Sequence, residues 1–102
     1  MIQDVTVGPI TYEVKEVDEI RDGSAVFDGM IYYNEARIEI AKGLDHQFER
    51  VVLMHEVAHA LLKHAGQASS DEKLVTALGY ALVDLIRQNP GLIYFLTKED
   101  AE

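Results

Sequence analysis

The sequence predicts an α+β fold: a small antiparallel N-terminal sheet, then a helix carrying His55-Glu56-Val57-Ala58-His59, a second packing helix and a short C-terminal helix. Three observations predict it. Residues 11–17 alternate apolar and polar, the period of a half-buried strand. After Lys42-Gly43-Leu44-Asp45 the apolar residues recur instead at helical spacing. Gly66-Gln67-Ala68-Ser69-Ser70 and Asn89-Pro90-Gly91 then punctuate the helical half. The chain has 102 residues, 48% of them hydrophobic and 26% charged, the balance and length of one globular domain. That domain is taken to span 1–102, strand-rich over 1–43, helical over 45–97, with an acidic tail at 98–102.

In the first part, Val5, Val7, Ile10, Tyr12, Val14 and Val17 surround Gly8-Pro9, a turn signal. Tyr12 and Val14 point to one face, Glu13 and Lys15 to the other. Asp22-Gly23-Ser24 marks a loop, and Gly23 and Gly29 read as isolated turn glycines. Met30 to Tyr33 and Arg37 to Ile40 flank Asn34-Glu35-Ala36 as a hairpin.

Asp45 is a plausible N-cap for a helix from His46 to about Ala65. At about 100° per residue, Glu49, Glu56 and Lys63 line one polar stripe while apolar residues occupy most of the remaining circumference. Such a helix is expected to be central and buried. The second helix runs from about Asp71 to Gln88, with Leu74, Leu78, Ala81, Leu82, Leu85 and Ile86 as its apolar face. Pro90, with Asn89 as cap, opens a last helix reaching Leu96.

Charge and composition exclude several functions. Eighteen acidic residues oppose nine basic ones, for a net charge of -9, and the basic residues do not cluster. No phosphate-binding stripe exists for nucleic acid, and an anionic membrane surface would be repelled. Without cysteine, neither disulfides nor thiolate metal sites are available. The N-terminus is neither basic nor followed by a long apolar run, so a cytoplasmic protein is expected. There is no phosphate loop, nucleophile elbow or nucleotide-binding glycine pattern.

The informative motif is His55-Glu56-Val57-Ala58-His59, H-E-x-x-H on a helix. Residues four apart lie one turn apart on the same face, so two imidazoles can converge on one ion. Glu56 is offset by roughly 60–100° on the wheel, beside the ion rather than on it, where it can take a proton from water. Two imidazoles on an otherwise apolar face also need partners, since unpaired buried polar groups destabilise.

A third ligand is required. His64 stands about 140° from His59 and 180° from His55 on the wheel, so it faces away. Leu62 and Ala65 occupy the positions where the extended metzincin motif has glycine and histidine. The candidates are Asp71 and Glu72, which open a helix that must pack against the first. Glu72 has a second possible job, since Ser69-Ser70-Asp71-Glu72 reads as a capping box.

The stretch Val51 to Leu96 resembles the ImmA/IrrE-type zinc metallo-endopeptidases, especially short phage and prophage members. The likeness rests on Leu53-Met54-His55-Glu56-Val57-Ala58-His59-Ala60-Leu61-Leu62, then Asp71-Glu72-Lys73-Leu74-Val75-Thr76-Ala77-Leu78, then Arg87-Gln88-Asn89-Pro90. The resemblance implies a minimal zincin-like fold holding one zinc ion. His55, His59 and Glu72 match its metal ligands and Glu56 its catalytic base. Better-known members act on a DNA-binding repressor, so the resemblance implies a protein or peptide substrate, a repressor being one kind.

The expected activity is peptide-bond hydrolysis by metal-activated water with Glu56 as general base. Tyr32, Tyr33 and Tyr80 are candidate oxyanion stabilisers, and the Arg37–Ile40 strand is a candidate edge for an extended substrate. The alternatives are a catalytically silent zinc-binding interaction module of a phage or prophage, which would not need Glu56, and a metal-free structural domain.

Overall fold

A computed structural model describes residues 1–100. The strands are β1 (Asp4–Val7), β2 (Ile10–Val17), β3 (Ile20–Asp22), β4 (Ala25–Phe27), β5 (Gly29–Tyr32) and β6 (Arg37–Ala41). The helices are α1 (His46–His64), α2 (Glu72–Gln88) and α3 (Pro90–Thr97). The α+β layout, a sheet followed by three helices, is as the sequence predicts. Of the predicted tail 98–102, positions 101 and 102 lie outside the described residues.

Four strands form one sheet in the order β1-β2-β6-β5, and β3 pairs with β4 as a separate hairpin. Both β1–β2 and β5–β6 are antiparallel. The central β2–β6 pair is parallel, with Val14 opposite Ile38 and Glu16 opposite Ile40. The intervening β3–β4 hairpin and β5 bring the chain back in its original direction, so the sheet is mixed where an antiparallel one was expected. Strand β6 is thereby interior, and the alternation of Ile38 and Ile40 leaves both fully buried. The expectation that Arg37–Ile40 offers a free edge is overturned: β1 and β5 are the edges.

The alternation in β2 survives intact, with Tyr12 and Val14 buried. They meet Val7, Ile38 and Ile40 from the sheet and Val52, Val57 and Ala60 from α1 in one core. Helix α1 lies between the sheet and α2. Its Val52 and the run Glu56 to Ala60 are buried, while its end turns reach solvent. Asp45 caps it by accepting from the Gln47 amide at 2.9 Å. Among the described residues no helix is long and apolar enough to cross a membrane.

Helix α2 turns a different face inward than leucine spacing suggests. Val75 and Gly79 are its buried positions, whereas Leu74, Leu85 and Ile86 remain exposed. The reason is steric: α2 approaches α1 most closely where its side chain is smallest. Helix α3 follows after the single residue Asn89 and buries none of its residues. Asn89 does not cap α3 through its side chain; its Nδ2 donates back to the Leu85 carbonyl at 2.9 Å.

Candidate metal centre

The two motif histidines project from α1 one turn apart toward the start of α2. Asp71 is the N-cap of α2, its Oδ1 accepting from the Leu74 amide at 3.2 Å. The Ser69 amide is bonded to the Gln67 carbonyl instead, so the capping box does not form. Glu72 is left to turn toward the histidines. One of its carboxylate oxygens lies 2.9 Å from His55 Nε2 and the other 3.0 Å from His59 Nε2. His55, His59 and Glu72 form a group that can hold a metal ion, their three donor atoms all within 4.8 Å of one another.

The donor chemistry fits a cation. His59 Nδ1 faces the Ser69 carbonyl oxygen, which can only accept, so Nδ1 carries the hydrogen. In its neutral form the ring then presents a lone pair at Nε2, toward a carboxylate oxygen. Two acceptors this close require a proton or a cation between them. A backbone carbonyl on the outer nitrogen is also how a metal-ligating imidazole is oriented. Metal–ligand bonds of 2.0–2.2 Å place tetrahedral neighbours about 3.4 Å apart, within the 4.8 Å over which the three donor atoms are gathered.

Glu56 does not join this group. Its side chain is buried against Gly29, the first residue of β5. A Cβ at position 29 would stand 2.7 Å from Val52 Cγ1 and 3.1 Å from Glu56 Oε2. Burial, and secondarily the Glu72 charge, raise the Glu56 carboxyl from 4.5 to about 7. Gly29, read from the sequence as an isolated turn glycine, is thus the seat of this carboxylate.

Gly79 of α2 packs on the His55 backbone, where a Cβ would lie 3.3 Å from the His55 Cα. The sequence does carry a signal for it: glycine inside a helix costs about 1 kcal/mol relative to alanine, which calls for a compensating close approach. Gly29 and the Ser69 carbonyl have no comparable signal, since their roles depend on a distant strand and on backbone direction.

His64 lies far from this group, as the wheel predicts; its ring packs where a Cβ of Gly8 would stand, at the β1–β2 turn. Tyr32 lies under the Arg37 guanidinium, 4.5 Å from its ring centre, and does not line the site. Tyr33 does, in a recess shared with Glu56, His59 and Glu72. Tyr80 borders a second recess of about 300 Å³, lined also by Phe27, Phe48, Val51 and Glu56. Between these, Phe27, Gly29 and Met30 face the histidines and Glu72 across a cleft of about 370 Å³. The free edge strand β5 therefore runs along the His55, His59 and Glu72 group.

Compared with family models, with curated proteins and with solved structures, the chain matches none.

Proposed function

We propose that this chain is a zinc-dependent metallopeptidase-like protein that hydrolyses peptide bonds of a protein substrate. One zinc ion would be held by His55, His59 and Glu72, with Glu56 as general base. The observation that carries the reading is Glu56, a carboxylate buried against Gly29 immediately beside a His/His/Glu group. A purely structural ion has no use for an additional buried carboxylate, which is costly to maintain.

When bound, zinc supplies Lewis acidity that polarises a carbonyl and brings water toward its reactive form at neutral pH. The chain's own residues do the rest. An extended substrate pairs its backbone with the exposed edge of β5, which lays a peptide bond across the cleft. Glu56 accepts the proton of the attacking water and delivers it to the departing amine nitrogen. Tyr33 or Tyr80, each on a recess wall, would donate to the developing oxyanion. The recess under Phe27, Phe48 and Tyr80 suits an apolar substrate side chain.

The test is elemental mass spectrometry of the purified protein, followed by cleavage profiling on a peptide library. One zinc per chain is expected, lost in His55→Ala and Glu72→Ala. Glu56→Gln should keep the zinc and lose cleavage by roughly 10²–10⁴-fold. Zinc retained without cleavage of any peptide would favour a zinc-binding interaction module. No uptake on adding zinc back would overturn both.

A further inference from the structure

From α3 and the α1–α2 groove we infer that two copies of this chain associate by reciprocal docking, each α3 seated in the other copy's groove. Helix α3 has the sequence Pro-Gly-Leu-Ile-Tyr-Phe-Leu-Thr and buries none of it. Tyr94, Phe95 and Leu96 are 69%, 65% and 66% exposed, unusual for consecutive large apolar residues. The helix contacts α2, its neighbour in sequence, and the described residues, α3 included, form an elongated body of 56 by 30 by 25 Å. It cannot fold back on its own chain without breaking the joint at Asn89. That joint is one residue long, backed by Pro90, and held by the Asn89 bond to Leu85.

The same chain carries a receptor of matching character. Leu53 and Met54 of α1 and Val83 and Ile86 of α2 line an apolar groove of about 180 Å³, with Arg50 and Arg87 at its rim. Among the described residues neither arginine has a carboxylate within salt-bridge distance. The residues that follow α3 include Glu99 and Asp100. An apolar helix followed by acids thus faces an apolar groove rimmed by arginines, and this complementarity selects a second copy over other occupants.

The area is adequate for a weak dimer. Helix α3 offers on the order of 400 Å² of apolar surface, given the size of its aromatic and leucine side chains. Two such helices remove about 800 Å² from water and the groove faces add to it, which places the contact among the small, weak interfaces. Reciprocal contacts of this kind close on themselves and stop at two copies.

The test is light scattering on the full chain after size exclusion, over about 1 to 100 μM, the weak end of the range for interfaces of this size. The expected mass is twice 11.4 kDa. Phe95→Glu on the helix, and separately Ile86→Glu on the groove, should each give monomers with unchanged circular dichroism; both positions are exposed in the single chain. Mixing the two variants should recover dimer, because one helix and one groove remain intact in the mixed pair. Arg87→Glu should weaken the dimer, and Glu99→Arg with Asp100→Arg should restore it. A monomeric wild type at the highest concentration overturns the proposal. So does a dimer that survives Ile86→Glu, which would place α3 against α3 instead.

Discussion

The backbone of Gly79 on α2 lies directly on the backbone of His55 on α1, so close that a single added methyl at position 79 would stand 3.3 Å from the His55 Cα. This contact sets the spacing between the helix that carries both histidines and the helix that carries Glu72.

Enlarging position 79 should therefore loosen the ligand set. Gly79→Ala is expected to be nearly neutral, because a 3.3 Å approach is offset by about 1 kcal/mol of helix propensity. Gly79→Leu should cost about 1–3 kcal/mol through overpacking and weaken metal binding. Urea denaturation and competition against a chromogenic chelator measure the two effects.

Asp71 and Glu72 adjoin in sequence but differ in task, and their variants should separate cleanly. Asp71→Ala removes the cap of α2 and should cost about 1 kcal/mol of stability with metal stoichiometry unchanged. Glu72→Ala should leave folding nearly intact and weaken metal binding by more than the roughly 10–100-fold that loss of an outer-shell partner costs. Titration calorimetry with zinc distinguishes them. Equal effects of both variants on affinity would contradict the assignment.

Gly29→Ala tests the seat of Glu56. The new methyl would stand 2.7 Å from Val52 Cγ1 and 3.1 Å from Glu56 Oε2, so the valine must shift and the carboxylate must give with it. Metal content should be unchanged, whereas hydrolysis should fall, by less than the roughly 10²-fold that a full ångström of misplacement costs.

The metal-free protein should lose stability as pH rises. The Glu56 carboxyl goes from 4.5 in the unfolded chain to about 7 in the folded one, so the folded state binds the proton more tightly. Below the lower value both states are protonated and the contribution is at its fullest; it disappears as pH rises through the upper value. The whole change is roughly 3 kcal/mol. Denaturation of chelator-treated protein across this window should show it, and Glu56→Gln should flatten the slope. A wild-type curve that rises with pH in parallel with the variant would show that Glu56 is not buried as described.

Most of the centre was legible in sequence because its chemistry is local. The convergence of His55 and His59 follows from helical period, and the return of the next helix along the first narrows the third member to Asp71 or Glu72, of which the resemblance implies Glu72. What was not legible depends on partners far away in the chain. Nothing near Arg37–Ile40 reveals that β2 claims one of its sides, so the sequence could not assign the free edge to β5. Nothing near Gly29 shows a carboxylate arriving from α1. The inward face of α2 was misread for a related reason: leucine spacing reports hydrophobicity, whereas the closest approach of two helices is set by the smallest side chain, Gly79.

The parallel pairing of β2 with β6 has a consequence in time. His55 and Glu72 are separated by 17 positions, and the whole ligand set belongs to one helical hairpin. Its assembly closes only a short loop, which is fast and entropically cheap. The seat of Glu56 belongs to β5, whose neighbour β6 must find β2 from the far side of the β3–β4 hairpin, a slower search. The chain is thus arranged so that the His55, His59 and Glu72 group depends on its quickest contacts and the seat of the Glu56 carboxylate on its slowest.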